Sequence, residues 1–274
     1  MYDDFDDIEE WYQPERYRPD DYFLQAKEEI KFLYEKDREV IFYIRQLQVK
    51  LEKKYFHWVT YNAIESLIKE SYLRPISIPV STFGTPIQFL VHYTNRYAKR
   101  TINELTKIIE EYSHDHITRS CGHRAEDLFA LALASHGFLP TQKKVKEYKG
   151  KRWTKTGHNL DHIFEKDKVV YGSEIKNTLG YIEKEELEIK LEMCHTFHIR
   201  PLFILRYAPK TYIEMIREAG GYAMIFECQI YELSQVDLVQ KIKTKLGLPV
   251  DCPQAIPEGI ILRFNKWHTK SVKM

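Results

Sequence analysis

The sequence predicts an α/β protein: a mixed sheet flanked by helices, preceded by a mainly helical N-terminal domain. Three observations carry this. Apolar strand-like runs alternate with helical patterns between residues 182 and 231, two further runs flank a charged turn near residue 166, and residues 21–72 place apolar side chains at helical spacing. Strands separated by helices pair in parallel under packed helices, whereas runs joined by a turn pair antiparallel.

In chain order, residues 1–20 are acidic (Asp3, Asp4, Asp6, Asp7, Glu9, Glu10) and broken by Pro14 and Pro19, which reads as a tail. Residues 21–36 and 38–55 read as helices, the second from Val40, Ile44, Leu47 and Leu51. A third helix begins near Thr60 as N-cap, burying Ile64, Leu67, Ile68 and Tyr72 and leaving Tyr61, Asn62 and Lys69 outside. Residues 75–80 and 87–92 form a hairpin turning at Gly84. An amphipathic connector (Ile102, Leu105, Ile108, Ile109, Tyr112) ends at the 113–116 break, dividing a domain 21–115 from a domain 116–274.

In the second domain a helix carries Glu126, read as lying in the first turn, where an acid suits the helix dipole. Residues 159–164 and 169–174 then form a hairpin across the turn 165–168. Asp161 falls near Glu174 on the facing strand, with Gly172 expected to mark a bulge. Glu174 and Lys176 are two residues apart on a strand and share one face. Two converging acids repel each other unless a divalent cation joins them. Beyond lie a helix (182–197), a strand (201–207), a helix (211–219), a strand (223–231), a helix from Ser234 to Leu246, and an apolar run at 260–264 that packs on the body.

From about Arg119 to Tyr231 these residues resemble the PD-(D/E)xK nuclease superfamily, whose fold is that of many restriction endonucleases and junction resolvases. The resemblance rests on Glu126, Asp161 and the triplet Glu174-Ile175-Lys176, in that order, on a helix and hairpin followed by helix, strand, helix, strand. Leu160 stands where the motif name places proline, a position that varies among members. The resemblance implies a restriction endonuclease-like fold and hydrolysis of DNA phosphodiesters with Glu126, Asp161, Glu174 and Lys176 as catalytic residues. Asp161, Glu174 and the carbonyl of Ile175 would hold magnesium, or manganese in its place, as one or two ions, with Glu126 completing the shell. Lys176 would orient the attacking water or stabilise developing charge. Asn177, Lys184 and Lys190 are weaker candidates, the two lysines facing solvent, and His158 and His162 read as strand-surface residues, because hard metals prefer oxygen.

Lys143, Lys144, Lys146, Lys149, Lys151, Arg152 and Lys155 surround Tyr148 and Trp153 just before the hairpin, a strip suited to backbone phosphates. The same lysines equally suit an edge strand protected against aggregation. By order of elements alone, the N-terminal domain resembles a winged helix, with residues 59–73 as recognition helix and Tyr61, Asn62 and Lys69 as DNA contacts. A purely structural role for it stands beside that reading.

Composition sets the outer limits. A chain of 274 residues with 43% hydrophobic content holds one large or two modest domains. No long apolar run or basic-apolar leader is visible, so the expectation is an intracellular protein, cytoplasmic or nucleoid-associated, with no membrane partner. The four cysteines are scattered without a C-x-x-C pair, which speaks for reduced thiols and against structural zinc. Net charge is only +1, so attraction to DNA would come from local patches. Four readings remain open: a site-specific, homodimeric DNA endonuclease; a structure-specific or repair nuclease; a transposition-type end-cleaving nuclease that needs a protein partner; and a non-catalytic DNA-binding or assembly protein.

Overall fold

The computed structural model describes residues 19–80 and 86–273. The acidic tail up to residue 18 and the turn at Gly84 lie outside these. The chain divides into two units, residues 1–106 and 107–274.

The first unit begins with α1 (Pro19–Lys36). Residues 38–55, read from sequence as one helix, divide into a short strand, β1 (Ile41–Tyr43), and a helix, α2 (Ile44–Leu51). The run Ile41-Phe42-Tyr43 is β-branched and aromatic and fully buried, so packing on a sheet outweighs its helical spacing. Then come α3 (His57–Lys69), β2 (Leu73–Ile78) and β3 (Ile87–His92). The helix α3 starts three residues before Thr60, with Phe56 at the cap position and no side-chain cap, and Thr60 is buried inside its first turn. The three strands form an antiparallel sheet in the order β1-β3-β2. Ala26, Ile30 and Tyr34 of α1, Leu47 and Leu51 of α2, and Ala63, Ile64 and Leu67 of α3 build its core with Leu73 and Leu90. The order of elements is helical with a terminal hairpin, as expected, but β1 adds a third strand to it.

The division between the units falls inside α4 (Lys99–Ser113), ahead of the expected boundary at 115. After a break at His114, α5 runs from Asp115 to Ser135. Glu126 is therefore in the middle of a 21-residue helix, not its first turn, and the dipole argument for an acid there does not apply.

The second unit is a mixed α/β layer structure. Its five-stranded sheet has the order β10-β9-β8-β7-β4, built from β4 (Leu139–Val145), β7 (Leu160–Lys166), β8 (Val169–Lys176), β9 (Arg200–Leu205) and β10 (Tyr222–Ile225). The pairs β4-β7 and β7-β8 are antiparallel, and β8-β9 and β9-β10 are parallel, crossed over by α6 (Lys184–Phe197) and α7 (Lys210–Glu218). A small hairpin, β5 (Glu147–Tyr148) with β6 (Lys151–Arg152), follows β4. The strand expected at 223–231 is interrupted: Glu227 takes a positive φ of 65°, and β11 (Gln229–Ile230) pairs separately with β12 (Val250–Asp251). Between those two, α8 (Val236–Lys241) continues as a wider helical turn to Leu246, and α9 (Glu258–Lys273) closes the chain.

One face of the sheet (Phe164, Tyr171, Ile175, Leu202, Ile204) packs on Ala125, Leu128 and Phe129 of α5 and Ile261 and Phe264 of α9. The opposite face meets α6 and α7: Ile163 lies with Met193, Cys194 and Phe197, and Phe203 with Leu187 and Ile216. His268 anchors α9, its Nδ1 2.6 Å from the Tyr171 hydroxyl and its Nε2 3.0 Å from Asp167 Oδ2. No helix is long and apolar enough to cross a membrane among the described residues.

Candidate active site at the β7–β8 hairpin

The hairpin is tighter and more regular than its sequence suggested. Only Asp167 and Lys168 turn it, both with positive φ (50° and 64°), the geometry that matches the twist of a two-residue hairpin. Pairing runs unshifted from Lys166↔Val169 to His162↔Ser173, and the same register carried one residue further sets Asp161 opposite Glu174. The expected bulge at Gly172 is absent from this pair; the shift lies instead in β4, between Pro140 and Gln142. Gly172 has a packing role: a Cβ there would lie 2.7 Å from Leu160 Cδ1, 2.8 Å from Ile199 Cδ1 and 3.0 Å from Cys194 Sγ. With no side chain in the way, α6 sits close over β8.

That close approach builds the site. Asp161 accepts the Ile175 backbone N–H through Oδ2 at 2.7 Å, which ties the first acid to the middle of the triplet. Glu174 is only 2% exposed and points at α6, where the Lys190 ammonium donates to its Oε2 and also to the Asn159 carbonyl. Lys176 lies 3.3 Å from Glu174 Oε1 and 2.8 Å from Glu186 Oε1. Lys176 thus pairs with both Glu174 and Glu186.

Electrostatics match this crowding of charge. Burial, and then the neighbouring Asp161, raises the Glu174 carboxyl to about 7 against the pull of Lys190 and Lys176. The same two causes raise Glu126, opposed by His123, Lys143 and Lys144, so Glu126 on α5 stands within electrostatic reach of Asp161. Burial disfavours the Lys176 ammonium, but Glu174 and Glu186 outweigh it and hold its pKa above the ordinary lysine value.

Some expected site residues take other roles. Asn177 is buried and clamps chain segments, donating to the carbonyls of Cys121 (2.8 Å) and Ile230 (2.7 Å) and accepting from the Ile230 N–H (2.7 Å). Lys184 is exposed and pairs with Glu188 on its own helix at 3.6 Å. Lys190, expected to face solvent, is 3% exposed and inside the site. Its four-residue spacing from Glu186 on α6 was the signal available, since residues i and i+4 share a helix face. His162 is fully buried, not on the surface, stacks on Phe164, and has neither ring nitrogen hydrogen-bonded. His158 is half-buried beside Thr156, its Nδ1 2.9 Å from the threonine hydroxyl.

The basic strip runs from β4, at the sheet edge, through the β5–β6 hairpin, with Lys146 between β4 and β5 and Lys155 just beyond β6. Lys143, Lys144, Lys146, Lys149, Arg152 and Lys155 are exposed and Lys151 is half-buried. Lys143 lies 3.8 Å from Asp127, and Lys155 pairs with Glu192. Tyr148 and Trp153 are buried among Val145, Leu160 and Phe197, so these rings serve the core and are not free to stack on bases. In the first unit Tyr61, Asn62 and Lys69 are all exposed on α3. All four cysteines are free thiols, with Cys121 and Cys194 buried and Cys228 and Cys252 half-buried.

The donor set fits a hard divalent cation in kind: the Asp161 and Glu174 carboxylates and the Ile175 carbonyl are oxygen donors, and burial, then the nearby Asp161, raises the Glu174 and Glu126 carboxyls. Among the described residues no three histidine, cysteine, aspartate or glutamate side chains are grouped closely enough to hold a metal by themselves. Comparison with protein-family models, with curated proteins and with solved structures gives no match to this chain.

Proposed function

We propose that the protein is a metal-dependent DNA endonuclease of the restriction-like kind, with a PD-(D/E)xK site on a restriction endonuclease-like domain and a winged-helix-like DNA-recognition unit ahead of it. The observation that carries this reading is the register of β7 and β8, which sets Asp161 opposite Glu174 with Lys176 beside it and Ile175 tied between them. Asp161, Glu174 and the Ile175 carbonyl would hold magnesium, and Glu126 would add a ligand or hold a second ion. When bound, the cation activates water and neutralises charge on the phosphate oxygens. Lys176, held at the open side by Glu186, orients the nucleophile or meets the charge developing on phosphorus oxygens. The exposed lysines of β4 and the β5–β6 hairpin contact the DNA backbone. Cutting both strands calls for two such sites, hence a homodimer.

A second reading, a DNA-binding protein that cuts nothing, is favoured by one observation: Glu174 already has both oxygens engaged by lysines. Supercoiled plasmid and branched DNA, incubated with the protein and magnesium, manganese or chelator, separate the readings. Discrete duplex fragments lost in Asp161→Ala and Lys176→Ala proteins establish the endonuclease. Cutting confined to branches selects a structure-specific nuclease, and binding without cutting selects the non-catalytic role or a nuclease that needs a protein partner.

A further inference from the structure

Lys190 is the charged residue of the second unit that is most thoroughly withdrawn from water while lying on a candidate catalytic group. It projects from the second turn of α6, is 3% exposed, and has two acceptors, the Glu174 carboxylate and the Asn159 carbonyl at the start of β7. A buried ammonium is costly unless paired, and pairing it with an equally buried carboxylate offsets much of that cost for both. Such an arrangement is more than packing. Lys190 takes Glu174 Oε2 while Lys176 takes Oε1, so both oxygens that a cation would use are covered by lysines. The two lysines differ in freedom: the Lys176 side chain is 28% exposed and also leans on Glu186, whereas that of Lys190 is 4% exposed and fixed from both sides.

We propose that Lys190 is a resident counter-ion of this site, which positions Glu174 when no metal is bound and competes with a divalent cation for the same carboxylate oxygen. The inference rests on the metal-dependent reading above. Lys190 is a positioning residue: it touches Glu174 and acts through it. Because a divalent ion and the ammonium repel each other at this range, the cation binds only by drawing Glu174 Oε2 away from Lys190, and Lys190 sets the metal concentration at which the site fills.

The test is a calorimetric titration of manganese and of magnesium into the full chain in mildly alkaline buffer, comparing wild type with Lys190→Gln, Lys190→Arg and Glu174→Gln. Glutamine keeps a donor for the Asn159 carbonyl but removes the charge, and arginine restores it. The expected result is metal binding at least about tenfold tighter in K190Q, near wild type in K190R, and lost in E174Q. Thermal unfolding in chelator gives a second readout: K190Q unfolds at lower temperature than wild type and recovers more of the difference on adding metal. Metal affinity unchanged in K190Q but lost in E174Q overturns the counter-ion role and leaves the metal site standing. Binding that is absent from wild type and every variant, or insensitive to E174Q, overturns the metal site itself and this inference with it. If K190Q does not fold, the same comparison is made with Lys190→Met, and equal affinities overturn the proposal there too.

Discussion

The β2–β3 and β7–β8 hairpins are built from the same local device and put to opposite uses. Both pair in an unshifted antiparallel register, over six residue pairs in the first and five in the second. In the first, Phe89, Leu90 and Val91 are buried in apolar surroundings, and the buried titratable side chain among the described residues of these two strands, His92, is pushed by burial towards its neutral form. In the second, a carboxylate is buried at 2% exposure and raised to about 7, and two lysines from different positions in the chain are brought to it. Stability alone does not ask for this, because apolar side chains of similar volume serve a sheet interior at least as well. By this contrast β7–β8 carries an electrostatic cost that packing does not account for, whereas β2–β3 is explained by packing.

The sharpest way to break the comparison is an Asp161→Asn protein. The amide still accepts the Ile175 N–H, so the hairpin keeps its tie while the charge disappears. Cleavage is expected to fall roughly 10³-fold or more, with an unchanged circular dichroism spectrum; cleavage within a few fold of wild type would remove Asp161 from the chemistry. The matching change in the other hairpin is Phe89→Ala, which empties a fully buried position in β3. A loss of about 3–5 kcal/mol in urea unfolding is expected there, and a loss below about 1 kcal/mol would mean that the β2–β3 sheet is not held by its core.

Gly172→Ala is a smaller perturbation. The added methyl meets three buried side chains at 3.0 Å or less, so α6 must lift from β8 or the neighbours must rotate. About 1–3 kcal/mol of destabilisation is expected in urea unfolding, together with tighter metal binding, since lifting α6 draws away Lys190, the ion that competes for Glu174.

In the first unit the pH dependence has a definite sign. Burial, and then Arg38, holds the His92 imidazole below the ordinary histidine range, while its Nδ1 lies 2.7 Å from the Thr94 hydroxyl. A lowered folded pKa means that the unfolded chain takes up the proton first. The stabilisation is therefore full above the ordinary value of about 6.5 and is lost progressively as pH falls from there through the lower folded value. Denaturant midpoints measured on either side of that value should decline less in His92→Gln than in wild type, and parallel declines would assign the effect elsewhere.

The smallest effect concerns the basic edge. Lys146→Ala removes one exposed lysine, and the slope of log affinity against log salt for duplex DNA should fall in magnitude by about 0.9. An unchanged slope would leave that lysine as a guard of the sheet edge.

What the sequence determined by itself was local and periodic. Alternating runs on either side of Glu165–Lys168 placed the second hairpin, helix-separated apolar runs gave the parallel strands β8, β9 and β10, and residue parity put Glu174 and Lys176 on one face. These follow from backbone geometry with periods of 2 and 3.6, which is written in the order of residues. Only the tertiary structure decided the rest. Residues 41–43 became a strand because a sheet edge was there to receive them, and Glu126 moved to mid-helix because α5 extends back to Asp115. Tyr148 and Trp153 turned inward to fill space beneath α6, and Lys190 was drawn out of water by a carboxylate sixteen residues earlier in the chain. In each case the deciding partner is distant in sequence, and burial of a charge or a ring depends on what lies across from it, which no local pattern records.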